Sequence, residues 1–286
     1  MKCLYFPGCS QKASSISYEK SFLAICRQLG VELVELNDWN CCGATVAISV
    51  NEVVAMTLAA RNLALVNDNE LPVVAPCPSC YISLNKVNKV FKGNRQLAGC
   101  IKESLQAGGL DYNGKVRVYN VLEFLVKFVG IDTIRQKVLQ PLKGMRIAPY
   151  YGCQLVSPYS EGDNNDNPTN LETIIAALGG TPVDFPFRTK CCGGSLMITR
   201  QHQAERMSCE VLKSIDKEKA DIIVTPCGLC QINLDMSKGV FARQLGRKIE
   251  TPVLNISQLI GFAFDIEPSE LHIKSKNLRR RLLVEN

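Results

Sequence analysis

The chain of 286 residues reads as an α/β protein made of two pseudo-symmetric repeats, with cysteine motifs at the strand-to-helix turns. Three observations predict this. Short apolar segments alternate with stretches whose apolar residues fall at helical spacing, the order of an open α/β sheet. A cysteine constellation occurs twice: Cys41, Cys42, Cys77 and Cys80 recur 150 positions later, without a gap, as Cys191, Cys192, Cys227 and Cys230. In both copies the Cys-x-x-Cys directly follows a strand candidate, at the carboxyl end where open sheets hold ligands.

Taken in order, residues 2–6 predict a strand that delivers Pro7-Gly8-Cys9 to a turn. Tyr18, Phe22, Ile25, Cys26 and Leu29 fall on one helix face, and Gly30 stops it. Residues 31–36 give the next strand, which runs into the turn-rich Asn37-Asp38-Trp39-Asn40 before Cys41-Cys42-Gly43. Asn51 caps a helix to about Val66. Residues 71–75 form a short buried strand ending at Pro76-Cys77-Pro78-Ser79-Cys80, with a helix over 81–91. Residues 92–115 are polar and show no readable element. A strand at 116–120 then feeds a helix at 121–129.

A linker around Gln140-Pro141-Leu142-Lys143-Gly144 divides a first unit, residues 1–140, from a second, residues 141–286. The second unit replays the order. A strand at 145–149 leads to Tyr151-Gly152-Cys153, and a helix covers 171–178. Residues 181–185 precede the second Cys-Cys-Gly, and an amphipathic helix covers 203–215. A strand at 222–225 enters Cys227-Gly228-Leu229-Cys230, and 252–256 leads to Phe264. The asymmetry is a polar insert at 160–168, whose composition predicts a mobile loop.

Hydrophobic residues make up 46% and charged residues 21% of the chain, ordinary for a globular protein with a core. No apolar run approaches the roughly 18 residues of a spanning helix, so no transmembrane segment is expected. The N-terminus shows no apolar export segment with a cleavage site, which predicts a cytoplasmic protein. The net charge of +6 comes partly from the basic stretch 274–281. Without a recognition motif or interleaved aromatics it predicts no nucleic-acid partner, but a solvated tail or a surface for an acidic subunit or anionic substrate.

Fourteen cysteines need a cause. Disulfide frameworks belong to small secreted domains without a core, so metal or redox chemistry is the better account. Each unit offers five thiols: a single cysteine, a vicinal pair and a Cys-x-x-Cys. Thiolates are soft ligands that select zinc, copper(I) and iron–sulfur clusters. Structural zinc takes four ligands and an ordinary cubane also takes four. Neighbouring cysteines reach two irons of a larger cluster more easily than one small tetrahedral ion. Five ligands with a vicinal pair thus hint at an iron–sulfur site that departs from the cubane, with zinc in one half as the rival. A redox-active dithiol at Cys77/Cys80 or Cys227/Cys230 would leave the other thiols idle. Gly43, Gly193 and Gly194 permit close approach and positive φ, and the helix N-termini after Cys80 and Cys230 offer N–H groups to sulfur.

Cys3, Cys26, Cys100 and Cys209 have no counterpart in the other copy and read as packing residues. His202, near the second motif, is a candidate proton donor to a leaving thiolate, but reads more simply as an exposed helix residue. Arg188, Lys190 and Arg200 flank the second pair and either attract an anionic substrate or are solvated charges.

Cys9…Cys41-Cys42-Gly43…Cys77-x-x-Cys80 and Cys153…Cys191-Cys192-Gly193…Cys227-x-x-Cys230 resemble the tandem CCG domains found in the B subunit of heterodisulfide reductase, over about residues 2–265. The resemblance implies that these ten cysteines, Cys9, Cys41, Cys42, Cys77, Cys80, Cys153, Cys191, Cys192, Cys227 and Cys230, ligate two noncubane [4Fe–4S] clusters. It further implies a cytoplasmic protein that reduces a disulfide of the coenzyme M–coenzyme B type to two thiols between the clusters, or runs the reverse. Implied partners are the ferredoxin-like iron–sulfur protein and the flavoprotein of the same complex. The double motif is shared by heterodisulfide-reductase-like complexes of sulfur oxidation, by thiol:fumarate reductases and by one component of unusual succinate dehydrogenases. A non-catalytic electron-transfer or anchoring role is therefore the alternative. Cys227-Gly228-Leu229-Cys230 lacks the proline that Pro78 supplies in the first copy, and no ligand position is lost. The pair Cys41-Cys42 is expected to face Cys191-Cys192 across the space between the units.

Overall fold

The computed structural model describes residues 1–66 and 71–273; the basic stretch 274–281 lies outside the described residues. Two parallel sheets of four strands carry the fold. The first contains β1 (Lys2–Tyr5), β2 (Glu32–Glu35), β3 (Val73–Val74) and β4 (Val118–Tyr119) in the order β2-β1-β3-β4. The second contains β5 (Arg146–Pro149), β6 (Thr181–Pro182), β7 (Ile222–Thr225) and β8 (Val253–Asn255) in the order β6-β5-β7-β8. The orders match strand for strand. Leu4 pairs with Val73 and Tyr5 with Val74, as Ile147 pairs with Ile222 and Ala148 with Ile223. Helices cover the sheets, so strands such as Ile222–Thr225 are buried throughout and mostly apolar.

Most predicted elements are present with shifted ends. The helix after β1 runs Ile16–Gln28, and Gly30 takes φ +67° to end it. Asn51 caps Glu52–Ala64 by accepting from the Val54 N–H at 3.1 Å. The helix expected from Tyr81 instead runs Pro78–Gly93 and contains Cys80 in its first turn. Proline at a helix start gives up an N–H that has no partner there anyway. Residues 92–115 hold a helix after all, Arg95–Ala107, capped by Asn94, which accepts from the Leu97 N–H at 3.1 Å. It buries only Ile101 and Leu105, too thin a stripe to show in the sequence. The helix expected at 121–129 begins at Val121–Glu123, widens over Phe124–Gly130 and resumes as Ile131–Gln136.

One apolar core joins the two halves. Leu4, Phe22, Val74 and Phe124 belong to the same buried cluster as Ile147, Ile174, Val224 and Leu259. A smaller cluster around Tyr150, Phe185, Leu212 and Phe241 fills the far side of the second sheet. Each half lends a helix to the other: Ile16–Gln28 packs on Ile256–Ala263, and Asn170–Ala177 packs on Ile131–Gln136.

The insert at 160–168 is tied down, against the expectation of a mobile loop. Asp163 accepts from the N–H groups of Thr169 and Asn170 at 3.0 and 2.9 Å. From the first half, the Tyr81 hydroxyl donates to the Glu161 carbonyl and accepts from its N–H, at 3.1 and 2.8 Å. Lys89 donates to the Pro158 carbonyl at 2.6 Å. The polar composition that suggested mobility supplies these bonds. The segment is a strap laid across the first half.

Candidate metal centre

All fourteen cysteines are free thiols. In the first half the short helix Gly8–Lys12 after β1 presents Cys9, and the loop after β2 presents Cys41 and Cys42. The turn after β3 presents Cys77, with Cys80 one helical step further. The sulfurs of Cys9 and Cys41 are 4.0 Å apart, and those of Cys42 and Cys80 are 3.3 Å apart. Cys41 adjoins Cys42 in the chain, and Cys77 is the N-cap of the helix whose first turn holds Cys80, so the five thiols gather in one place. The second half repeats the arrangement: Cys192 lies 3.4 Å from Cys230, and Cys153 and Cys227 stand close enough to Cys191 and Cys230 to shift their thiols. Every sequence-predicted site cysteine thus lies in one of two rows.

The local backbone explains the motif. Gly43 and Gly193 have φ of +74° and +81°. A Cβ on Gly43 would stand 3.1 Å from the Ala55 carbonyl oxygen, and one on Gly193 would stand 2.8 Å from the Ala204 Cα. The glycine after each pair therefore lets the loop press against the backbone of the next helix, rather than against a ligand. Sulfur also receives main-chain donors. The Gly193 N–H donates to Cys191 Sγ and the Gly194 N–H to Cys192 Sγ, each at 3.3 Å. The N–H groups of Cys80 and Ser79, at the start of helix Pro78–Gly93, do the same for Cys77.

These donors favour negative charge on part of each row. Hydrogen bonds from Cys41 and then Cys80 bring the Cys42 thiol down to about 3. A hydrogen bond from Cys153 brings Cys191 down to about 6. Cys77 and Cys192 are lowered in the same way by Cys80 and Cys230. The donating partners Cys41, Cys80, Cys153 and Cys230 are correspondingly pushed up. Cys9 and Cys41 are exposed while Cys42 and Cys80 are buried, so the first row opens to solvent at one end.

Among the described residues no three Cys, His, Asp or Glu side chains are gathered tightly enough to hold one metal ion. Five thiols in a row instead offer ligands to a body several ångströms across, and backbone N–H groups stand where they offset thiolate charge. The donor set fits an iron–sulfur cluster in each half.

Three features of the site were not readable in the sequence. A cavity of about 210 Å³ lies at the seam, lined by Cys42, Ser79, Ser83 and Lys86 from the first half and by Gln154 and Tyr159 from the second. Lys86 pairs with Glu52 at 2.9 Å and sits 5.4 Å from the Tyr159 ring centre. Fully buried Tyr18 donates to the Pro226 carbonyl at 2.9 Å. Burial, then the charges of Cys227 and Cys77, hold its phenol well above the usual range, so it stands between the two Cys-x-x-Cys turns.

The flanking charges divide. Arg188 is half-buried and committed to Glu172 at 2.7 Å, a structural role rather than a substrate contact. The Tyr151 hydroxyl also donates to Glu172. Lys190 and Arg200 are exposed. The His202 side chain is 98% exposed, so it is the solvated helix residue and not a proton donor at the thiols. Cys3, Cys26 and Cys209 are buried, with burial lifting Cys3 to about 12. Cys100 is a correction: it lies exposed on helix Arg95–Ala107 and packs no core.

Residues 3–85 and 147–235 each match the CCG cysteine-rich domain. The chain is 34% identical over 269 residues to the 8-methylmenaquinol:fumarate reductase membrane anchor subunit of Wolinella succinogenes, covering 93% of both chains. It is 30% identical over 276 residues to a protein of Archaeoglobus profundus named as like the B subunit of heterodisulfide reductase, covering 93% of this chain and 91% of that one. Identity is 28% over 283 residues to the B subunit of the ferredoxin/F(420)H(2)-dependent CoB-CoM heterodisulfide reductase of Methanosarcina acetivorans, covering 97% and 94%. A crystal structure of a hypothetical protein from Helicobacter pylori superimposes with a TM-score of 0.71 at 13% identity, over 96% of this chain and 51% of that one. The chain spans about half the length of that structure, and the likeness is one of fold.

Proposed function

The chain belongs to the tandem CCG cysteine-rich family that includes the B subunit of heterodisulfide reductase, and we propose that it is the disulfide- and thiol-handling component of a larger oxidoreductase complex. The reading is carried by one observation: two five-thiol sets, one against the core that joins the halves and one against the smaller cluster of the second half, with a cavity at the seam that touches Cys42 of one half and Gln154, the residue after Cys153, of the other.

In this proposal Cys9, Cys41, Cys42, Cys77 and Cys80 hold one noncubane [4Fe–4S] cluster, and Cys153, Cys191, Cys192, Cys227 and Cys230 hold the other. When bound, such clusters supply single electrons and open iron positions with affinity for sulfur. The protein does the rest. Gly193 and Gly194 N–H groups steady the ligand charge. Met56, Ala59 and Ile82 make the cavity floor apolar, Ser79 and Ser83 give it hydroxyls, and Lys86, paired with Glu52, stands at its wall. That lining suits a small disulfide. Two electrons and two protons convert a disulfide into two thiols, and the reverse returns them. A ferredoxin-like iron–sulfur protein and a flavoprotein of the same complex are the proposed source or sink, in the cytoplasm.

The 34% identity to a fumarate reductase membrane anchor subunit favours a second reading, in which the chain passes electrons or docks a flavoprotein without handling substrate. No helix among the described residues is long and apolar enough to cross a membrane. Anaerobic assay of the purified complex separates the two. The first reading expects two thiols released per disulfide and per two electrons supplied. Fumarate reduction with no thiol release from any disulfide offered would move the assignment to the second.

A further inference from the structure

The second Cys-x-x-Cys carries Gly228 where the first carries Pro78. Backbone conformation does not require a glycine there. Gly228 is the first residue of helix Gly228–Leu245, a position that favours proline, and its φ lies outside the left-handed region. Space is what requires it. A Cβ on Gly228 would stand 2.3 Å from the Oγ and 2.7 Å from the Cβ of Ser15, a residue of the first half. Ser15 is 3% exposed and precedes helix Ile16–Gln28. Its hydroxyl lies 3.1 Å from that of Ser10, the neighbour of Cys9. Three residues on, fully buried Tyr18 reaches the other side of Cys227, donating to the Pro226 carbonyl at 2.9 Å. The first half thus holds both chain neighbours of Cys227.

We propose that Ser15 and Tyr18 of the first half are positioning residues for the thiol set of the second, and that residue 228 is glycine because Ser15 fills the place of its side chain. This rests on reading Cys227 as one of the ligands of an iron–sulfur site. The Pro226 carbonyl lies in the peptide plane before Cys227, and the Gly228 Cα ends the plane after it. Holding both planes fixes the two backbone dihedrals of Cys227, and with them the direction in which its thiol leaves the chain. Within its own half the Cys227 N–H has the Thr225 hydroxyl at 3.3 Å, which steadies only the first of these planes. Ligands of one centre have to be held to within about half an ångström. The second site is therefore incomplete without the first half.

The test is the alkylation rate of single cysteines in the reduced, metal-free full chain, read by mass spectrometry, beside the iron content of the same variants after loading. Gly228→Ala, whose methyl meets Ser15, labels Cys227 about tenfold faster, because overpacking at the turn is relieved by opening it. Cys26, on the helix that carries Tyr18, and Cys209, buried in the second half, keep their wild-type rates. Loaded with iron, Gly228→Ala holds about half the wild-type amount. The double variant Ser15→Gly/Gly228→Ala makes room for the methyl, slows Cys227 again and recovers the iron. Tyr18→Phe keeps the ring, loses the bond to Pro226 and also speeds Cys227; it carries the test with the double variant where Gly228→Ala alone does not fold. A Cys227 rate unchanged in Gly228→Ala or in Tyr18→Phe, a double variant no better than Gly228→Ala, or faster labelling of Cys26 and Cys209 along with Cys227 overturns the proposal. Wild-type protein that takes up no iron contradicts the iron–sulfur reading instead, and the labelling rates still decide whether the first half positions Cys227.

Discussion

Gly8 and Gly152 pack directly against a sulfur of their own thiol rows. Both precede the single cysteine, with φ of +68° and +70°. A Cβ at Gly8 would stand 2.7 Å from Cys80 Sγ, and one at Gly152 would stand 3.1 Å from Cys230 Sγ. Any side chain there is strained by the backbone and pushes a ligand aside. Gly8→Ala is expected to empty the first site and leave roughly half the wild-type iron, measured by metal analysis of the anaerobically purified variant. Unchanged iron would show that the row tolerates displacement. Glu123 provides a second test, away from the thiols. Burial raises its carboxyl to about 7, only partly offset by Lys127 at 3.7 Å. Its Oε2 has no partner, and its side chain lies against Gly162 of the strap. The folded state holds the proton more tightly than the unfolded one, so stability is full below the ordinary carboxylate range and declines as pH rises through about 7. Glu123→Gln should match wild type near pH 5 and exceed it by about 2 kcal/mol near pH 8, in denaturant titrations at both pH values. Equal stability at both would remove the buried charge from the account. The ten candidate cysteines were legible as a repeat, because their spacing is written in the chain. Ser15 and Glu123 were not, since one hydroxyl or carboxyl has no pattern until the fold supplies its neighbour.

Among the elements, the strands and the helices of apolar stripe were legible, and their ends were not. Strand Ile222–Thr225 was readable to the residue because it is buried throughout and apolar over Ile222, Ile223 and Val224. Helix Arg95–Ala107 was missed because two buried side chains make no periodic signal. The short helix Val46–Val50 has no buried residue at all. Caps are where the sequence determines most. Asn255 ends β8 and opens helix Ile256–Ala263 with a capping box, accepting from the Gln258 N–H at 2.9 Å. It is fully buried and also accepts from Ser21 of the other half at 3.2 Å. Asn120 makes the equivalent cap in the first half, accepting from Leu122 and Glu123 N–H groups at 2.9 Å. Asn255→Ala should cost about 2 kcal/mol, from the lost cap and the lost bonds to Ser21 and Gln231. A loss near zero in thermal unfolding would show that the helix start is held by packing alone.

At the scale of the molecule the two repeats are one folding unit. The core crosses the seam, each half lends a helix to the other, and the Leu139 and Gln140 N–H groups both donate to the Ala263 carbonyl at 2.9 Å. Residues 1–140 expressed alone would expose the face of Ile16–Gln28 that Ile256–Ala263 covers. That fragment should fail to give a soluble, protease-resistant domain, and a well-folded fragment would refute the shared core. The repeat was legible in the sequence as a duplication. The interlock was not, because nothing in the spacing of cysteines says which helix packs on which sheet. This pairing matters because it sets Tyr18 of the first half against Pro226, beside Cys227, of the second, and brings Gln154 and Tyr159 to the cavity that Cys42 lines. The most direct test of that arrangement is the iron and acid-labile sulfide content of anaerobically purified protein, together with its low-temperature paramagnetic spectrum. Two five-cysteine clusters predict about eight irons and about eight sulfides per chain, with two distinct signals on stepwise reduction. A colourless protein holding zinc, or one with no more than about four irons per chain, would contradict the account.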